Sequence, residues 1–136
     1  MGRVINIENS GKERNKLTKS IVKAIRELMN QQKTDMLTHD LAAYIAISLE
    51  NIYQTVDVSV TAWEKRGYWL KADRFRLDWE WTEQYGKQMR EAVLSEDWAS
   101  IANLSAKIAL KLSKIQIAPK NRIGEPWIGS WDKIRE

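Results

Sequence analysis

The chain has no cysteine, one histidine and two prolines in 136 residues. Without thiols it has no disulfide frame, no zinc–thiolate site and no cysteine nucleophile, which suits a reducing compartment. Long apolar runs are missing as well. The longest covers residues 41–47, far short of the roughly 20 residues a membrane span needs, and no apolar signal core follows Arg3. Glycine-rich phosphate loops, zinc-protease helices and nucleophile elbows are also absent. A chain of this length fits one domain, burying roughly 68–70% of the surface exposed when unfolded. The expectation is a soluble, cytoplasmic, single-domain protein with no cofactor, no metal and no membrane partner.

Aromatic residues, by contrast, are concentrated. Trp63, Tyr68, Trp69, Phe75, Trp79 and Trp81 stand within residues 63–81 and make up half of the chain's aromatic side chains. Each buries about 150–250 Å² when covered, so this segment marks a surface that something must close over. Charge is divided just as unevenly. Residues 1–34 carry net +5, residues 35–106 net −5 and residues 107–136 net +4. Basic ends around an acidic middle bear on encounter with polyanions, not on fold.

The hydrophobic pattern is helical throughout. A short extended arm at residues 4–7 precedes a capping box, in which Ser10 accepts from the N–H of residue 13 while Glu13 reaches back to Ser10. The first helix should run over about 11–32, with Leu17, Ile21, Ala24, Ile25 and Leu28 on one face. Thr38 and Asp40 suit the start of a second helix, about 38–66. Its seam is Leu41, Ile45, Leu49, Ile52, Val56, Val60 and Trp63. Val56, Val58 and Val60 alternate as a strand would, but no Gly or Pro bounds them. Lys65-Arg66-Gly67 reads as a helix end, the alternative being one helix continuing through Gly67.

A third helix, about 69–94, is apolar around most of its circumference and is therefore either central or shared with another subunit. Ser95, followed by Glu96 and Asp97, reads as the N-cap of a fourth helix, about 96–114. In the tail, 116–136, Pro126 opens a short helix whose Trp127, Trp131 and Ile134 share a face expected to dock on the bundle. The resulting fold class is all-α: an antiparallel four-helix bundle with an extended N-terminal arm and a helical C-terminal tail, expected to be a homodimer.

Two surfaces are candidates for function. The first is the aromatic region of helices 2 and 3, with Trp63, Trp69, Phe75, Trp79 and Trp81 as interface residues for a second copy or another protein. Its cations are matched by acids, with Arg74–Asp78 and Arg76–Glu80 at i,i+4, which argues against base stacking. The second is a pair of basic rows: Lys12, Lys16, Lys19, Lys23 and Arg26 on helix 1, and Lys107, Lys111 and Lys114 on helix 4. If those helices are neighbours, the rows form one face about 30 Å long that suits sequence-independent nucleic-acid binding through phosphates. Lysines opposite an apolar stripe are equally the solvated side of an amphipathic helix.

Asp78, Glu80, Glu83 and Glu91 together resemble the carboxylate clusters of all-helical nucleotide pyrophosphatases. That resemblance implies a Mg²⁺-dependent hydrolase at Glu80 and Glu83. Such enzymes need a second acidic helix facing the first, whereas Glu96 and Asp97 belong to a cap, and Glu83–Lys87 with Lys87–Glu91 form an ordinary salt-bridge face. A di-iron bundle would need more than the single His39. As a lone base His39 has no nucleophile or orienting acid assigned by spacing. The leading expectation is a non-enzymatic assembly or protein-interaction protein, with nucleic-acid binding as the alternative.

Overall fold

The computed structural model describes residues 9–136, so the arm expected at residues 4–7 lies outside the described residues. Six helices follow in order: α1 (Ser10–Met29), α2 (Met36–Lys65), α3 (Trp69–Trp79), α4 (Trp81–Leu94), α5 (Trp98–Lys111) and α6 (Ser130–Ile134). The described residues contain no strand, and none of their helices is long and apolar enough to cross a membrane.

Helix α2 is the hub, packing against α1, α3, α4 and α6, while α5 packs mainly on α4 and touches α1 only lightly. The reason lies in its sequence. The seam Leu41, Ile45, Leu49, Ile52, Val56 and Val60 is buried, and so are Ala42, Ala43, Ala46, Thr55 and Ser59 around it. Small side chains beside the seam let neighbours approach from more than one side. Each fully buried Leu, Ile or Val contributes about 1.5–3 kcal/mol. The α1 stripe Leu17, Ile21, Ala24 and Ile25 is buried as its spacing requires, with Leu28 packed at its edge.

Several boundaries differ from the sequence reading. Ser10 is not the cap: Asn9 holds that position, and the Ser10 hydroxyl meets Ser59 Oγ at 2.9 Å. Helix α1 stops at Met29, short of residue 32. Helix α2 begins at Met36 because Asp35, not Thr38, is its N-cap and accepts from the Thr38 N–H at 3.1 Å. Ser95 caps the C-terminus of α4, whereas Asp97 is the N-cap of α5, accepting from the Ser100 N–H and hydroxyl. The tail helix begins at Ser130 rather than at Pro126.

The largest departure is the break in the expected third helix at Glu80. No Gly or Pro is present, but the hydroxyl of buried Thr82 donates to the Trp79 carbonyl at 2.7 Å. That bond accompanies the break without accounting for it, because Thr18, Ser20 and Thr55 make the same bond to the carbonyl three residues back inside the unbroken α1 and α2. The α2–α3 turn, in contrast, forms where the sequence places it. Tyr68 N–H bonds to Trp63 O at 2.9 Å and Gly67 N–H to Glu64 O at 3.0 Å, with Gly67 at φ +80°. This is a Schellman motif, in which glycine takes the left-handed position without a Cβ penalty.

Candidate functional site

The break at Glu80 decides what α3 presents to solvent. Only Ala72 of its 11 residues is buried. Phe75 and Trp79 are half-buried and continue a line of rings, with Trp63–Phe75 at 4.9 Å, Phe75–Trp79 and Trp79–Trp81 at 6.2 Å, and Trp81–Tyr85 at 6.0 Å. Arg14 from α1 closes this layer, its guanidinium 4.7 Å from the Phe75 centroid and 5.8 Å from that of Trp79, while donating to Thr55 Oγ1 at 3.2 Å. Burial lowers the Arg14 pKa below the usual arginine value, yet the group stays charged and its cation–π contacts persist. Arg14 escaped the sequence reading because it lies off both the apolar stripe and the lysine row.

On the opposite face α3 is open. Trp69, Leu70 and Leu77 are 61%, 64% and 66% exposed, and Tyr68 beside them is also exposed. Leu70, Asp73, Arg74 and Leu77 follow the i, i+3, i+4, i+7 spacing of one helical stripe, with apolar ends and opposite charges in the middle. Of the five expected interface residues, Trp63, Phe75, Trp79 and Trp81 are thus joined in one partly covered layer. Trp69 alone stands out in solvent. Arg76 does not pair with Glu80 as expected. It turns back to Glu64 at 3.3 Å and Asp73 at 3.4 Å.

No protein-family model, curated protein or solved structure matches this chain.

The basic residues are dispersed more than their rows suggest. Lys12, Lys16, Lys19 and Arg26 are exposed along α1, but Lys23 donates to Gly124 O at 2.8 Å and its ammonium lies 5.8 Å from the Trp127 ring. On α5, Lys107 shares a groove with Gln88 and Glu91 of α4, and Lys111 is exposed, as is Lys114 beyond the helix end. Among the described residues no group of three or more Asp, Glu, His or Cys side chains is placed to hold a metal ion. Asp78, Glu80, Glu83 and Glu91 are therefore not gathered into such a group.

His39 has partners on both ring nitrogens. It lies in α2, its Nδ1 2.7 Å from Asp35 O and its Nε2 2.7 Å from Glu96 Oε1, between the rings of Trp98 at 4.9 Å and Trp131 at 4.7 Å. Glu96 occupies the left-handed position of a second Schellman turn, at φ +54°, where glycine would be unstrained. Both ring nitrogens face acceptors. A neutral imidazole donates from only one nitrogen, so this site favours the imidazolium.

Burial opposes that charge and nearby Arg135 adds to the opposition, but the bonds to Asp35 and Glu96 prevail and raise the His39 pKa above its ordinary 6.5. A raised folded-state pKa contributes stability that is complete below the unfolded value near 6.5 and disappears as pH climbs through the higher folded value. Urea midpoints of the wild type should accordingly fall as pH rises above about 6.5. In His39→Gln that fall should be absent; an unchanged slope would mean the His39–Glu96 pair is not formed.

Proposed function

We propose that the protein acts by association, through the outward face of α3, and that its partner is a second copy of itself. The observation that carries this reading is the stripe Leu70–Asp73–Arg74–Leu77, solvent-facing on a helix that buries only Ala72 of its own. A twofold axis crossing α3 between residues 73 and 74 would set Leu70 against Leu77 of the partner subunit and Asp73 against Arg74 of the partner subunit. Self-complementarity of this kind is what an isologous interface requires. Trp69 and Tyr68 would flank the contact as aromatic anchors. The half-buried layer Trp63–Phe75–Trp79–Trp81 supports α3 from behind. On this reading α1, α2, α4 and α5 serve as the four helices of the antiparallel bundle, working in the cytoplasm and without a catalytic role.

An 11-residue helix is about 16 Å long, so the contact is at the small end of specific interfaces and the dimer should be concentration-dependent. Sedimentation velocity over about 5–200 μM should show a monomer–dimer equilibrium with a micromolar dissociation constant. The variant Leu70→Glu/Leu77→Glu should remain monomeric with unchanged helical circular dichroism. A wild type that stays monomeric over the whole range would end this reading.

The second reading is sequence-independent nucleic-acid binding through Lys12, Lys16, Lys19, Lys23, Arg26, Lys107, Lys111 and Lys114. What favours it is the exposure of Lys12, Lys16, Lys19 and Arg26 along one helix. Oligonucleotide binding that weakens steeply between about 50 and 200 mM salt would move the function to those residues.

A further inference from the structure

Helices α1 and α2 form an antiparallel hairpin, and one side of it departs from the apolar packing seen elsewhere. Glu13, Lys16, Leu17 and Ser20 form one helical stripe of α1, and Tyr44, Ile47, Ser48 and Asn51 form the corresponding stripe of α2. Both follow i, i+3, i+4, i+7 spacing, the pattern by which helices bury apolar seams, yet most of these positions are polar. The C-terminal segment, through Ile123, Ile128, Ser130 and Lys133, closes the third side of a cleft of about 380 Å³. That volume falls within the range of small-molecule sites.

The polar groups in the cleft are held but not consumed. Tyr44 donates to Ser20 Oγ at 2.8 Å, and Ser20 donates to Leu17 O at 2.9 Å, so the tyrosine oxygen keeps its acceptor capacity. Ser48, 1% exposed, and Ser130, 5% exposed, line the same cleft. Lys16 on α1 and Lys133 on α6 both line the cleft, and neither has an ion pair among the described residues.

Two ammonium groups against the one carboxylate of Glu13 leave the cleft lining net positive and suit an anion, while Ser48, Asn51, Ser130 and Tyr44 suit hydroxyl groups. Leu17, Ile47 and Ile128 offer an apolar wall for the carbon face of a ring. We infer that this cleft binds a small polyhydroxylated anion, a sugar phosphate or mononucleotide in chemical class. The anion would lie between Lys16 and Lys133, with the sugar hydroxyls on Ser48, Asn51 and Ser130. The site is separate from the α3 face and does not depend on dimer formation.

Isothermal titration calorimetry on the full chain tests this with glucose 6-phosphate, ribose 5-phosphate and AMP as probes, and with inorganic phosphate and glucose as controls. At least one phosphate ester should bind with a dissociation constant below about 1 mM and at least about tenfold more tightly than inorganic phosphate. Lys133→Glu and Ser48→Ala should each weaken it about tenfold with helical circular dichroism unchanged, whereas Leu70→Glu should leave it intact. No heat from any ester up to about 10 mM, inorganic phosphate binding as tightly as the esters, or full binding in Lys133→Glu would each overturn the inference.

Discussion

Asp40→Ala should lower unfolding stability by about 2–4 kcal/mol and free the C-terminal segment from the helical body. The Asp40 carboxylate is 7% exposed and accepts from Trp131 N–H at 2.9 Å and Gly129 N–H at 3.2 Å. These donors belong to the start of α6, which has Gly129 at its N-cap and no side-chain cap of its own. A residue of α2 therefore performs the capping from 89 and 91 positions away. A helix of five residues does not persist on intrinsic propensity, so α6 depends on this carboxylate and on burial of Trp127 and Ile134.

Removing the acceptor leaves two partly buried N–H groups unsatisfied, each at a cost of about 1–3 kcal/mol unless water reaches them. Asp40→Asn keeps one acceptor oxygen and should lose about half as much. Urea unfolding measures the stability change, and trypsin cleavage at Lys133 and Arg135 reports release of the segment. Cleavage of Asp40→Ala no faster than wild type would show that the tail docks independently of this cap.

Gly86→Leu should destabilise the protein by about 3 kcal/mol or more, while Gly86→Ala stays within about 1 kcal/mol of the wild type. Gly86 lies where α4 crosses closest to α2. A Cβ placed there would be 3.2 Å from Leu49 Cβ and 3.4 Å from the Glu50 backbone nitrogen. For alanine, this crowding opposes the roughly 1 kcal/mol that replacing a helical glycine gains, and the two nearly offset. Leucine has no such balance, because its remaining atoms require α4 to move off the central helix. That shift would strain the two-pronged contact of Arg90 with Glu50, where Nε–Oε2 and Nη2–Oε1 are both 2.8 Å. Urea midpoints with unchanged m-values measure both variants, and a Gly86→Leu protein as stable as the wild type would mean the helices have room to part.

Much of this architecture was present in local pattern. The stripe on α1, the seam on α2 and the glycine turn at Gly67 are consequences of 3.6-residue periodicity and of backbone sterics, which act over a few residues and need no distant partner. The concentration of aromatic residues over 63–81 was legible in the sequence. Its division into a covered layer and an exposed face was not legible. A helix apolar around most of its circumference does not specify which side is buried, and no Gly or Pro marks the break at Glu80. The candidate cleft was also hidden, because Lys16 reads as one member of a solvated row until Ser48 and Lys133 are brought beside it.

The sequence by itself determined that the chain is helical, where most helices lie and which stripes of α1 and α2 face inward. Tertiary structure alone decided that α2 is the hub, that Asp40 caps a helix near the far end of the chain, that His39 meets Glu96 across 57 positions, and that Trp69, Leu70 and Leu77 face solvent. The physical reason is range: periodicity and capping are set by neighbours a turn or two away, whereas a buried carboxylate or an exposed leucine is defined by groups that only folding brings together.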